Sequence, residues 1–184
     1  MSTQLDGAAA AGREARILAR VRDVADWPRP GVGFKDINPL LADPVAFAEV
    51  VDAFAAIAAT AGAEAVAGIE ARGFVLAAPA AARAGLGFWP VRKAGKLPGR
   101  TLRRDYDLEY GRSAVEVDPE LVHPGSRVLL VDDVLATGGT AAAAAGLLAE
   151  AGAEVVGVAV LLELTFLPGR AALSGHEVTA LARS

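Results

Sequence analysis

The sequence of 184 residues contains no cysteine. That excludes disulfides and thiolate zinc sites and is compatible with a reducing cytosol. It has no excess of positive charge either. Lys and Arg number 18 against 22 Asp and Glu, a net charge of −4, whereas a general nucleic-acid binder needs a basic surface. No apolar run reaches the ~18 residues that a membrane span requires. Residues 1–12 lack the basic start and apolar core of a signal peptide, and a flexible tail is expected there. Histidine is scarce: His123 and His176 lie in loop-like sequence without partners at ligand spacing, so both are expected to be structural or exposed. There is no internal repeat and no G-x-x-x-x-G-K-[ST] phosphate loop. The expectation is one cytoplasmic domain with no membrane or nucleic-acid partner, large enough to bury a core.

What is present is 53% hydrophobic, and its organising stretch is Val128-Leu129-Leu130-Val131-Asp132-Asp133 followed by Val134-Leu135-Ala136-Thr137-Gly138-Gly139-Thr140. An apolar, largely β-branched quartet runs into two acids, then a loop of small and hydroxyl residues, then the alanine-rich run 141–149. The quartet reads as a strand buried on both faces of a parallel sheet and the alanine run as a helix packed on it. Asp132 and Asp133 would then sit at the carboxyl end of a strand, where open α/β sheets bind ligands. Gly138 and Gly139 allow close approach, while Thr137 and Thr140 add hydroxyls at a helix start, a cradle suited to phosphate. Two adjacent carboxylates suit sugar hydroxyls or the shell of a Mg2+ ion. Nucleotide-hydrolase metal strands and receiver domains also end an apolar strand in Asp-Asp. The missing phosphate loop removes most of the first alternative, and a receiver would carry its acids near the start of the domain.

Elsewhere, Ile17, Leu18, Val21 and Val24 fall at helical spacing and predict a helix over 13–24. Two prolines and a glycine in 27–31 end it. Residues 33–41 read as irregular. Asp43-Pro44 is a helix start, with Val50, Val51, Phe54 and Ile57 on the buried face. Strands are expected at 65–69, 87–92, 113–117 (exposed), 155–162 and, at an edge, 177–181, with a helix over 74–84. Residues 93–111 turn polar and aperiodic, as a functional loop or lid does. Alternating strands and helices imply right-handed crossovers and a mainly parallel twisted sheet flanked by helices, an α/β fold.

The order of parts around Asp132 and Asp133 resembles the 5-phosphoribosyl-1-pyrophosphate (PRPP) loop of type I phosphoribosyltransferases, in wording the adenine-specific branch. With three further stretches, the resemblance covers nearly all of the chain after residue 28. It implies that Asp132 and Asp133 hold the ribose hydroxyls near Mg2+, and that Ala136, Thr137, Gly138, Gly139 and Thr140 wrap the 5′-phosphate. Gly68-Ile69-Glu70-Ala71-Arg72-Gly73-Phe74 resembles the pyrophosphate turn. Ala71 and Arg72 are its implied ligands, and Glu70–Ala71 its implied cis peptide. Arg92, Lys93 and Lys96, beside glycines, match cations that reach pyrophosphate, some of them in a neighbouring subunit's site. Hence a homodimer is implied.

The third stretch is Gly33-Phe34-Lys35-Asp36-Ile37. The resemblance implies that Phe34 stacks on adenine, that the Gly33 carbonyl accepts from the 6-amino group, and that the Lys35 N–H donates to N1. Leu164 would lie on the base's other side. Gly33 departs from the larger apolar residue common in the family. Ala136 stands where 6-oxopurine relatives carry an aspartate that meets N7, so Glu109 of Leu108-Glu109-Tyr110-Gly111 is the implied N7 carboxylate. The implied architecture is a flexible tail over 1–12 and a phosphoribosyltransferase domain over 13–184. That domain comprises a base-binding hood over 13–42 and a lid loop over 93–111. The implied reaction is adenine plus PRPP giving AMP and pyrophosphate, with Mg2+. A phosphoribosyltransferase for another base, or a non-catalytic PRPP-binding regulator on the same fold, are the alternatives.

Overall fold

The computed structural model describes residues 2–108 and 111–184, with side chains from residue 10 onward except those of Asp107 and Leu108. Helix α1 (Ser2–Leu18) is followed by strands β1 (Arg22–Val24) and β2 (Phe34–Asp36), then helices α2 (Asn38–Ala42) and α3 (Pro44–Thr60). Next come β3 (Ala65–Ile69), α4 (Arg72–Ala84), β4 (Gly87–Lys93), β5 (Leu102–Leu108), β6 (Gly111–Val117) and β7 (Arg127–Leu135). Helix α5 (Gly139–Glu150), β8 (Glu154–Glu163), α6 (Gly169–Ala172) and β9 (Val178–Arg183) complete the chain.

The main sheet has seven strands in the order β5-β6-β4-β3-β7-β8-β9. Strands β4, β3, β7, β8 and β9 run parallel to their neighbours. The β5–β6 hairpin joins antiparallel through β6 to β4. Period-two alternation along β7 sends Leu129 and Val131 into one core with Phe54, Leu76 and Leu161. Val128 and Leu130 go to the opposite core, with Ala144, Leu147 and Leu148 of α5. Each face is therefore sealed by helices, which is why Ala65–Ile69 and Val128–Val131 carry no polar side chain. On β4, Trp89 is half-buried against the α5-side core.

Helix α3 starts as its sequence dictates, the Asp43 side chain accepting from the N–H groups of Val45 and Ala46 at 3.0 Å each. Three expectations are corrected. Residues 2–12, expected as a tail, form the first turns of α1, because the alanines around Ala8–Ala11 favour helix. That helix stops at Leu18 rather than at Val24, since Arg22–Val24 pair instead with Phe34–Asp36 in a small antiparallel ribbon. Residues 33–41 are accordingly a strand and a short helix rather than irregular. The ribbon's turn carries the exposed Trp27, whose N–H reaches the Val32 carbonyl at 3.0 Å. The Trp27–Pro28 peptide is cis.

A further correction concerns 93–111, whose second half is strand β5. Leu102 and Tyr106 pack toward α5, and the Arg104 guanidinium lies over Gly146 of that helix. Two of these three inward positions are filled by long polar or amphipathic side chains, Arg104 and Tyr106. Residues 113–117, expected as exposed, are buried from Ala114 to Val117, Val115 and Val117 in the α5-side core and Glu116 accepting from the Gly95 N–H at 2.9 Å.

Candidate active site

Two strand-to-helix turns form the site. Strands β3 and β7 are neighbours in register, with Gly68 opposite Val131, so the turns that follow them open onto one cavity. It measures about 450 Å3, and its walls include Ala71, Arg72, Lys93, Tyr106, Asp132 and Asp133. The turn after β3 contains the cis peptide Glu70–Ala71. Gly73 is there because a side chain would not fit: an added Cβ would stand 2.9 Å from the Val131 carbonyl oxygen and 3.0 Å from Asp132 Oδ1. The two turns are thus packed backbone to backbone. A second cavity, about 340 Å3 and lined in part by Arg13, Ile57, Leu129 and Thr179, carries neither turn.

The turn after β7 holds a smaller hollow of about 80 Å3 formed by residues 134–141 with Asp132. Gly138 has φ 82°, a left-handed value that glycine adopts without a Cβ penalty. A Cβ there would also come within 2.8 Å of the Ala172 Cβ, while one on Gly169 would strike the Ala136 carbonyl oxygen. Helix α6 therefore buttresses the hollow by glycine-to-backbone contact. Its position is fixed by Arg170, which donates to both oxygens of the buried Glu163 at 2.6 and 2.8 Å. Thr140, in the first turn of α5, borders both the hollow and the larger cavity. Its hydroxyl donates to the Tyr106 hydroxyl at 3.2 Å.

The acids are held in an unfavourable setting. Burial raises the Asp132 carboxyl well above the usual carboxylate range, and the neighbouring charge of Asp133 adds to this. Burial raises Asp133 as well, against the pull of Arg72. Arg72 Nε lies 2.8 Å from Asp133 Oδ2. The N–H is not aimed at that oxygen, however, and Oδ2 has no hydrogen-bond donor. Among the described residues this oxygen is thus charge-paired with Arg72 but accepts no aligned hydrogen bond, which leaves it able to accept one from a ligand.

Arg72 also joins the turns to the hood. Its Nη1 donates to the Lys35 carbonyl at 3.1 Å, and its guanidinium sits 4.6 Å from the centroid of the Phe34 ring. Lys35 Nζ in turn pairs with Asp23 at 2.6 Å and donates to Ser184 Oγ at 2.9 Å. Gly33 is exposed, and a Cβ on it would meet nothing within 4 Å. Leu164 is buried in the core that faces α3 and α4.

Of the cations expected around pyrophosphate, Arg72 and Lys93 border the cavity. Arg92 and Lys96 turn instead to Glu70, which accepts from Arg92 Nε at 3.2 Å, from the Lys93 N–H at 3.0 Å and from Lys96 Nζ. Burial alone would raise the Glu70 carboxyl, but these donors bring it down to about 2. Glu109 lies outside the described residues. His123 is exposed and His176 half-buried. Among the described residues no three His, Asp or Glu side chains cluster to hold a metal.

Sequence reasoning missed Tyr106, Ser113 and Glu70. The alternation of Leu102, Arg104 and Tyr106 would have placed Tyr106 on the side facing α5.

Comparison with known proteins agrees with this architecture. A family model described as a phosphoribosyl transferase domain matches residues 38–165. The adenine phosphoribosyltransferase of Kineococcus radiotolerans is 66% identical over 91% of this chain and 90% of its own length. The crystal structure of adenine phosphoribosyltransferase from Thermoanaerobacter pseudethanolicus superimposes with a TM-score of 0.89 at 43% identity, covering 92% of this chain and 99% of that one. The Saccharomyces cerevisiae enzyme, solved in complex with an imino-altritol bisphosphate and adenine, gives a TM-score of 0.88 at 35% identity over 93% and 99% of the two chains. With its mainly parallel sheet, paired turns and close relatives, the chain belongs to the type I phosphoribosyltransferase family, in the adenine phosphoribosyltransferase branch.

Proposed function

We propose that the chain transfers the 5-phosphoribosyl group of PRPP to adenine, giving AMP and pyrophosphate. The observation that carries this reading is the pair of turns after β3 and β7 facing one cavity, with Arg72 linking that cavity to the Phe34 ring of the hood. A phosphorylated sugar, its pyrophosphate and a flat base then fall in one line.

The hollow formed by Ala136, Thr137, Gly138, Gly139 and Thr140 would take the 5′-phosphate on backbone N–H groups and hydroxyls at the start of α5. The donorless Asp133 Oδ2 would accept from a ribose hydroxyl, with Asp132 beside it. Ala71, Arg72 and Lys93 border the place for pyrophosphate and gain interaction energy as charge moves onto it. The donor set also fits Mg2+, since two buried carboxylates with raised proton affinity ask for positive charge. With no third protein acid among the described residues, Asp132 and Asp133 would hold an ion that arrives with the substrate. Such an ion supplies charge neutralisation to the leaving group.

Phe34 would stack on adenine, with Leu164 on the far side, the Gly33 carbonyl accepting from the 6-amino group and the Lys35 N–H donating to N1. Reading a base by backbone groups discriminates against 6-oxopurines, where donor and acceptor exchange places. Glu109 would handle the N7 proton. The resemblance of Arg92 and Lys96 to cations that reach a neighbouring subunit's site supports a homodimer. The absence of cysteine supports a cytoplasmic setting, and no helix of the described residues is long and apolar enough to cross a membrane.

The test is pyrophosphate release from PRPP and Mg2+ with adenine, hypoxanthine, guanine, xanthine or uracil offered separately. Release with adenine alone is expected. Release with a 6-oxopurine would overturn the base assignment, and silence with every base would overturn the catalytic reading.

A further inference from the structure

Among the described residues of the β5–β6 hairpin, Tyr106 is the one whose hydroxyl bonds to the turn after β7. Its ring packs toward α5 from strand β5, and its hydroxyl meets Thr140 Oγ1 at 3.2 Å. Thr140 borders the small hollow on one side and the larger cavity on the other, and Tyr106 borders the larger cavity directly. The same strand is seated farther along α5 by Arg104. Its guanidinium occupies the room left by Gly146, where a Cβ would lie 2.8 Å from Cζ, and its Nη1 stands 3.7 Å from Glu150. The hairpin thus lies along the helix whose first turn forms the phosphate cradle, and the Tyr106–Thr140 bond is the contact nearest that first turn.

We infer that Tyr106 is a positioning residue that ties the β5–β6 hairpin to occupancy of the 5′-phosphate hollow through Thr140. The inference rests on reading residues 136–140 as that hollow. A threonine hydroxyl has one hydrogen to give and can also accept. In the structure the Thr140 hydroxyl is bonded to the Tyr106 hydroxyl. When a phosphate arrives, the Thr140 O–H turns to the anion, and the Tyr106 O–H takes over as donor to Thr140 Oγ1. No bond is lost in the exchange, and the chain Tyr106 to Thr140 to phosphate is strengthened by polarisation. Hairpin docking and phosphate binding therefore favour one another. By linkage, weakening either weakens its partner equally.

The experiment uses ribose 5-phosphate, which carries the 5′-phosphate without pyrophosphate or base, and follows amide hydrogen exchange in the hairpin. Ribose 5-phosphate is expected to slow exchange across β5 and β6 in the unaltered protein. In Tyr106→Phe, which keeps the ring and removes only the hydroxyl, that protection is lost while residues 136–140 remain protected. The affinity for ribose 5-phosphate and the KM for PRPP are expected to weaken about 3- to 10-fold, as for loss of one hydrogen bond. Thr140→Ser retains the coupling. Adding Tyr106→Phe to Thr140→Ala makes nothing worse. Unchanged ribose 5-phosphate affinity or unchanged hairpin protection in Tyr106→Phe overturns the inference. Should Tyr106→Phe fail to fold, Thr140→Ser and Thr140→Ala decide: protection kept in the first and lost in the second upholds the inference, and identical behaviour overturns it. An error in the base assignment would appear only among the bases tested for pyrophosphate release and leave the exchange result standing.

Discussion

At Arg72 one side chain touches three parts of the site, the Phe34 ring, the Lys35 carbonyl and Asp133. None of this is written in the local sequence. The arginine was legible as an anion ligand from its strand-to-helix turn, but its posture depends on residues more than thirty positions away in either direction. Phe34, by contrast, was singled out by resemblance alone, and the structure places it beside the cavity through Arg72. In the role proposed for it, Phe34 is a stacking platform of the kind worth about 1–3 kcal/mol per base. Phe34→Ala is therefore expected to raise the KM for adenine about tenfold or more, with PRPP affinity unchanged. Steady-state kinetics paired with calorimetric titration of PRPP would check this. A comparable loss of PRPP affinity would remove Phe34 from the base site.

Among the elements, the parallel strands were readable because burial on both faces demands aliphatic residues throughout, as in Ala65–Ile69 and Val128–Val131. Strand β5 was not, because its inward positions are filled by Leu102, the stem of Arg104 and the ring of Tyr106, which read as polar loop. The ribbon β1–β2 was missed for a different reason. Val21 and Val24 satisfy helical spacing, yet pairing of Arg22–Val24 with Phe34–Asp36 satisfies the backbone better. Nor could any local pattern announce that α6 supports the phosphate turn, since the contact is an absence of side chain at Gly169. Gly169→Ala would drive a methyl group into the Ala136 carbonyl and to within 2.8 Å of Leu135 Cγ. It is expected to cost about 1–3 kcal/mol of stability and to weaken PRPP binding more than adenine binding. Thermal melts with and without PRPP would show it. A variant with unchanged melting temperature and unchanged PRPP affinity would mean that the buttress is dispensable.

Taken whole, the molecule spreads its acidic groups over two opposed settings. Asp36, Asp43, Glu49, Glu70 and Glu163 are held below their ordinary values by arginine, lysine or backbone N–H donors. Groups depressed on folding contribute stability that is complete above the unfolded carboxylate range and is lost as pH falls through it toward the folded value, about 2 for Glu70. Asp132 and Asp133 are shifted upward, so protonating them on the way down relieves the fold. Below the unfolded carboxylate range the two raised acids are already protonated in both states, so the five depressed ones govern there and acid is destabilising. The melting temperature is expected to fall steadily between about pH 5 and pH 2. A scan by calorimetry that showed it level or rising over that interval would contradict the balance. The ribbon turn described at the start of the fold has a consequence of another kind. Of the chain's two tryptophans, Trp89 is fixed in the sheet, whereas Trp27 stands 55% exposed on the turn that leads into Gly33 and Phe34. The protein thus carries a water-facing native fluorophore on the turn that leads into the segment proposed to hold the base. Arrival of the base should register as a change in the quenchable, water-facing part of the emission, while the shielded part from Trp89 serves as the internal reference.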